Sequence, residues 1–400
     1  MWRLGFVFHK MAFGLLSVFV PLYVVGSSGR GLGGSLVDLG IMVSAALLLS
    51  IPASFFWGYI CDRTRRYKPF ILLSFLSSAL LFAVFTFASD IALFMALYVV
   101  MYVFYVAYEA PKNVLIAEHY SREDWEKSYS FHQQVTEVGW LLGLFLGLMA
   151  STYGLTTQYT LFLCSGLSLA AFFLILFRVA DPLLVFERRL VGIEKKISTA
   201  YRGTVAASQL LDGRRSNESF RGDSFFGFGL AIVFFSLAST LFFTPMPIFF
   251  AQGLGFSVEM VFMVYILNSM GAMAGYFVVR RVNREMDSKR YLRRVVLLRS
   301  FLVFSTVAIV QSAFYAMFLM PVILVFLNLA YAVYYVLVLS LSMELMPAGR
   351  SGILDVSVGL GTASGSFLGP LIAQTMGFLT QFLIAGTVFL LAYVTLRVFT

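Results

Sequence analysis

The sequence predicts an all-α polytopic membrane protein, with twelve transmembrane helices in two pseudo-symmetric six-helix bundles. Three observations predict it. Hydrophobic residues make up 60% of the 400 and charged residues 12%, whereas a soluble domain is nearer half apolar and a quarter charged. The chain divides into apolar runs, each near the ~20 residues that a hydrocarbon core demands. Its bases collect in alternate loops, the asymmetry that orients a chain in a bilayer.

The first six spans are Leu4–Val25, Leu36–Ile60, Phe70–Ala88, Ile91–Ala117, Tyr129–Ala150 and Tyr159–Val179. The second six are Phe225–Phe250, Met260–Val279, Val295–Ser312, Phe314–Met343, Gly352–Gln374 and Phe378–Val398. Only Gln311 and Ser312 punctuate the chain between the ninth and tenth. Asp38 follows Ser35 by three residues and reads as a first-turn cap of the second helix. The segments Trp57–Lys68, Glu118–Ser128, Asp181–Asp223, Arg280–Arg294 and Leu345–Ser351 hold nearly all the bases, and the opposite loops hold Arg30 alone. The positive-inside rule then puts both termini in the cytoplasm.

The polar stretch Asp181–Asp223 divides residues 1–180 from residues 224–400. Asp181-Pro182 opens a helix whose Leu183, Phe186, Leu190, Ile193 and Ile197 recur at helical spacing among bases. That pattern suits an amphipathic helix on the inner membrane surface, or one packed on the protein. The two halves repeat. Pro21-Leu22-Tyr23 is echoed by Pro247-Ile248-Phe249, and Glu118, Gly139 and Gly143 by Glu344, Gly365 and Gly369 at identical offsets. Internal repeats around a central linker are the sequence sign of a secondary transporter.

Composition excludes other classes. The net charge of +9 lies in loops on one side, as topology requires, so no nucleic-acid partner is expected. Cys61 and Cys164 fall in different runs, and neither they nor the three histidines have metal-ligand spacing. No metal, cofactor or cleavable signal peptide is expected, and no cluster of acids, histidines or a serine–lysine pair stands at membrane depth for an enzyme.

The loop Trp57–Lys68 reads WGYICDRTRRYK. Gly58 removes a side chain where two helices could approach, Asp62 can cap a helix N-terminus, and Arg63, Arg65, Arg66 and Lys68 are cytoplasmic markers. The spacing of Gly58, Asp62, Arg63 and Arg66 resembles the signature loop of the major facilitator superfamily, with Arg65 where that family usually has Gly. The second copy is degenerate, with Val279 where an Asp would stand. The resemblance implies alternating access and a cytoplasmic clamp: Asp62 against the start of helix eleven near Ser351-Gly352, and Arg66 against Glu118 or Asp355. The run Gly365-x-x-x-Gly369-Pro370-x-x-Ala373 also resembles the Gly-Pro motif of superfamily antiporters, but it stands in helix eleven, and helix five has Leu144 in place of the proline.

Polar residues within the spans are the candidates for solute or proton. Glu137 sits about nine residues inside helix five, roughly 13 Å deep at 1.5 Å per residue. A carboxylate there costs several kcal/mol unless paired, protonated or hydrated. Ser130, Gln133 and Trp140 share its face, away from the Gly139, Gly143 and Gly147 stripe. Helix four carries Tyr98, Tyr102, Tyr105, Glu109 and Lys112 on one face, an aromatic surface with an acid–base pair across Pro111. Asn268 and Asn328 are polar ligands or interhelical bonds; His9 and Lys10, near the cytoplasmic end of helix one, are weaker candidates, with snorkelling the alternative for Lys10, while Arg299 reads as reaching the inner interface. The expectation is a monomeric carrier in the plasma or inner membrane, coupled to protons and moving a small organic solute. Aromatic residues at 17% favour efflux of lipophilic compounds; uptake of a nutrient by symport and a non-transporting sensor are the alternatives.

Overall fold

The computed structural model describes residues 3–26, 31–119, 125–179, 218–281, 288–345 and 351–399. The expected amphipathic helix lies outside them. The first half contains α1 (Arg3–Val25), α2 (Leu36–Thr64), α3 (Lys68–Phe85), α4, α5 (Trp125–Thr152) and α6 (Thr157–Arg178). Helix α4 runs Ile91–Tyr105, tightens to a 3-10 turn over Val106–Tyr108 and resumes as Glu109–His119. The second half contains α7, α8 (Val258–Arg281), α9 (Ser288–Val310), α10 (Ala313–Leu345), α11 (Ser351–Met376) and α12 (Phe378–Phe399). Helix α7 runs Glu218–Phe243, then passes through Met246–Ile248 into a π turn at Phe249–Gly253.

Helices are the only economical choice for such apolar segments, because they satisfy every backbone polar group without water. Among the described residues, eleven helices are long and apolar enough to span a bilayer. The exception is α9, whose Lys289, Arg290, Arg293, Arg294 and Arg299 lower its hydropathy. Gln311 and Ser312 do form the turn before α10. Ser35 and Asp38 close a reciprocal capping box at the start of α2, with Asp38 N–H donating to Ser35 Oγ at 3.1 Å and Ser35 N–H to Asp38 Oδ2 at 2.8 Å. Asp90 caps α4 through the N–H groups of Ala92 and Leu93.

Packing repeats as the sequence does. Helix α1 packs on α5 and α6, and α7 on α11 and α12; α3 meets α6 as α9 meets α12. The main contacts between halves are α2 with α11 and α5 with α8, pairs that the same pseudo-symmetry exchanges. Glycines set the closest approaches. A Cβ on Gly139 would fall 2.5 Å from the Val7 carbonyl oxygen, and one on Gly143 2.0 Å from that of Met11. Gly361, Gly365 and Gly369 bring α11 equally close to the carbonyls of Val233, Leu237 and Leu241. Val7 corresponds to Val233 in the repeat, yet Val7 meets Gly139 and Val233 meets Gly361, whereas Gly139 corresponds to Gly365. The two glycine seams are therefore one helical turn out of register.

The halves touch mainly at the end where α5 finishes and α2 begins. There, Ser151 Oγ donates to Glu259 Oε1 at 2.7 Å, and Val37 N–H donates to Gln374 Oε1 at 2.8 Å. At that end Gly40 of α2 faces Pro370 of α11. At the opposite, base-rich end the contacts thin out. A Cβ on Gly58 would meet nothing within 4 Å among the described residues, so they show no close helix approach there. Asp62, Arg63, Arg65 and Arg66 are exposed. Arg65 adopts the left-handed conformation, with φ 59°, and its N–H caps α2 through the Cys61 carbonyl. An arginine thus holds the backbone geometry that glycine takes at low cost.

Replacing Gly143 by Ala should lower stability by about 1–3 kcal/mol, because the added methyl must push α1 off α5. Thermal unfolding of the purified protein checks this, and an unchanged midpoint would show that the seam gives freely.

Candidate functional site

Between the halves at the base-rich end lies a cavity of about 120 Å³. Its floor and walls come from α1, α4 and α5, with Tyr335 of α10 as the contribution of the second half. Helix α1 supplies Lys10, whose Nζ donates to the Tyr105 hydroxyl at 2.8 Å. The Tyr108 hydroxyl donates to the same oxygen at 3.1 Å. The Lys10 ammonium lies 5.5 Å from the Tyr105 ring centroid and 5.9 Å from that of Tyr108, and the Lys112 ammonium 5.5 Å from that of Tyr108. Two cations therefore share one tyrosine ring, an arrangement stabilised by the negative ring face. Lys112 also forms an ion pair with Glu109.

Proline explains why α4 delivers this cluster. Pro111 lacks an N–H, and its ring crowds the carbonyl four residues earlier, that of Ala107. The chain answers with the 3-10 turn Val106–Tyr108, in which side chains three apart eclipse. Tyr108 is thereby swung below Tyr105, the rings 5.2 Å apart, and lines the cavity. Tyr108 lies three residues after Tyr105 and four before Lys112, so helical spacing itself is the signal that places it beside them.

Helix α5 contributes His132, Gln133 and Thr136 to the wall. Glu137 is half-buried on the same helix, makes no hydrogen bond among the described residues, and stands within electrostatic reach of Lys10. The Ser130 side chain lies outside the described residues. Next to Lys10, His9 is 1% exposed. Its ring stacks on Phe75 at 4.1 Å, and both its nitrogens lack partners among the described residues.

Other candidates fall elsewhere. Tyr98 and Tyr102 continue the aromatic ladder above Tyr105, their hydroxyls 3.5 Å apart, but do not line the cavity. Asn328 Nδ2 donates to the Asn268 main-chain carbonyl at 3.0 Å and ties α10 to α8, so Asn328 acts as an interhelical bond. Asp62, Arg63 and Arg66 form no ion pair among the described residues. The side chains of Glu118, Ser351 and Gly352 lie outside those residues, so the expected clamp contacts to them do too. Asp355 is exposed and feels the charges of Glu109 and Lys112 across the cavity mouth. Of the two readings for Lys10, the structure favours the cavity: it points into the cluster, where Tyr105 gives its ammonium a partner. One expectation is overturned. Arg299 is 1% exposed, enclosed by aromatic rings inside the second bundle.

The arrangement can bind a small polar solute through Lys10, Gln133 and the Glu109–Lys112 pair. It can also exchange a proton at Glu137. Among the described residues no group of histidines, cysteines or acids could hold a metal ion.

Comparison with known proteins gives a consistent fold. A family profile described as "Major Facilitator Superfamily" matches residues 4–354. No curated protein matches the sequence. The structure is similar to that of a D-xylose-proton symporter, with TM-score 0.72 and 14% identity over 100% of this chain and 96% of that one. A POT family transporter solved with 5-aminolevulinic acid gives TM-score 0.74 and 14% identity, covering 100% and 95% of the two chains. The human organic anion transporter MFSD10 (TETRAN) gives 0.65 and 16%, covering 99% and 97%. At such identities the likeness is one of fold.

Proposed function

The chain belongs to the Major Facilitator Superfamily, a family of secondary transporters, and from that premise we propose that it carries a small polar organic solute by proton-coupled symport. The observation that carries this reading is the cavity around Lys10: charged, hydrogen-bonding and about 120 Å³. Pockets for drug-sized ligands run from about 300 Å³ and are mostly apolar. The lining therefore favours a nutrient-sized polar solute over the lipophilic efflux substrate that the aromatic content favours. The symport assignment draws support from a structural neighbour described as a proton symporter.

Coupling follows from the position of Glu137. Ionised, it neutralises part of the field of Lys10; protonated, it leaves that ammonium free for solute. Proton and solute then bind together, and their joint binding biases the exchange of conformers. Apparent solute affinity should rise as pH falls. Glu137→Gln mimics the protonated state, so its affinity should stay high and lose pH dependence, while pH-driven uptake into proteoliposomes falls at least ten-fold and solute exchange persists. Unaltered pH dependence would reduce Glu137 to a structural residue, and absence of any flux in the parent would leave a binding sensor.

We place the base-rich end and both termini in the cytoplasm of a plasma or inner membrane, where the protein works as a monomer, so this conformer faces inward. Without Cys61 and Cys164, a cysteine at Thr64 should react with an impermeant maleimide from the cytoplasmic side only, and one at Ser257 from outside only. Labelling with the opposite sidedness would invert the assignment.

In the opposite conformer, Asp62 closes against the amide groups at the start of α11, and Arg66 against an acid of the inner rim, Glu118 or Asp355. Each such contact is worth about 0.3–2 kcal/mol, comparable with the gap between conformers. Asp62→Asn should enrich the inward-facing population, read as longer spin-label distances across the base-rich mouth; an unchanged distribution removes Asp62 from the clamp.

A further inference from the structure

The second half holds a cation that this coupling scheme leaves unused. The Arg299 guanidinium carbon lies 4.9 Å from the ring centroids of Phe235 and Phe389, 5.3 Å from Tyr331 and 5.9 Å from Phe243. One N–H donates to Ser239 Oγ at 3.3 Å. Among the described residues no carboxylate pairs with Arg299, and its Nε has no partner. Aromatic faces attract the charge but leave most of its five N–H donors without acceptors. A second buried donor stands nearby: the Tyr334 hydroxyl also lacks a partner, and its ring stacks on Phe235 at 3.4 Å. A buried guanidinium without a counter-ion in a membrane bundle is costly and marks function more often than packing. What this enclosure lacks is a negatively charged acceptor.

The internal repeat relates this place to the cavity. The offset that takes Pro21 to Pro247 also takes Tyr105 to Tyr331 and Tyr108 to Tyr334. Each half thus sets a cation against the same tyrosine, Lys10 over Tyr105 and Arg299 over Tyr331. The cations come from non-equivalent helices, α1 and α9, and the counterpart of Lys10 is Ser236. Access exists on one side. Tyr331 is exposed, while Phe235 and Phe389 are buried. Tyr331 stacks on Tyr335 at 6.2 Å, and Tyr335 lines the cavity. Tyr331 thus stands between Arg299 and the Tyr335 wall of the cavity.

We propose that Arg299 and the Tyr334 hydroxyl form an anion subsite, closed by Tyr331, that takes the carboxylate of a small organic acid arriving through the cavity. This rests on the transport reading above and narrows its solute to a carboxylate. The acid passes Lys10 in the cavity before it meets Arg299 in the second half.

The test uses the full chain in detergent with 4-bromobenzoate and its neutral counterpart 4-bromobenzamide. The acid should raise the melting temperature and the amide should not. Arg299→Gln should weaken the acid at least ten-fold, and Arg299→Lys should retain part of the effect. If Arg299→Gln fails to fold, Tyr331→Trp keeps the cage and adds a reporter. Its fluorescence in excess of the parent should be quenched by the bromine of the acid and not by the amide. An Arg299→Gln shift equal to the parent's, or unquenched excess fluorescence, overturns the subsite. Loss of acid binding in Lys10→Met with Arg299→Gln unaffected also overturns it, while keeping the cavity reading. No charge-selective shift in the parent overturns the carboxylate assignment, and proton-driven flux through Glu137 would still stand on its own test.

Discussion

A cation held inside a membrane helix has to be answered by something, and the answer to Lys10 shapes the first half of this molecule. Among the described residues its ammonium pairs with no carboxylate; the Tyr105 hydroxyl accepts a hydrogen bond from it and two tyrosine rings share its charge. That solution needs Tyr105 and Tyr108 on one side of α4, which their spacing of three provides. The 3-10 turn over Val106–Tyr108 brings them nearer to eclipse. Glu109 and Lys112 follow the turn and line the cavity with Tyr108, so one stretch of α4 supplies much of its polar lining. In the function proposed above, that arrangement leaves the ammonium for a ligand and gives Glu137 its role in modulating it.

Much of this was legible in the sequence, and the limits have physical causes. The twelve spans are readable because a bilayer imposes one length and one composition on every crossing. The glycine seams are readable because only glycine tolerates backbone contact; Gly139 and Gly143 meet the carbonyls of α1 as their stripe implies. Tyr108 escapes because a step of four from Tyr105 leads to Glu109 and a step of three leads to Tyr108, and the face read from the sequence follows only the first. Arg299 is misassigned for another reason. Long cationic side chains are read by default as reaching for water, and only tertiary contacts reveal an aromatic enclosure instead. The clamp contacts expected of Asp62 and Arg66 with Glu118, Ser351 and Gly352 fall on side chains outside the described residues, so the structure leaves that reading of the loop where the sequence put it.

The two halves solve a common problem with different chemistry. Tyr105 and Tyr331 occupy equivalent positions, yet the cation beside each comes from a different helix. Repetition of the fold preserved the aromatic seat, and substitution supplied each seat with its own charge. A lysine in the first half can rearrange around a proton event, being a flexible point charge. An arginine in the second presents a rigid fork suited to a carboxylate.

The slip of one turn between the two glycine seams limits how far the internal repeat reaches. One turn is about 5.4 Å along the helix. The repeat therefore relates the two bundles in outline but not where backbone meets backbone, and a rotation that superposes the helices of one half on those of the other leaves their tightest contacts at different heights.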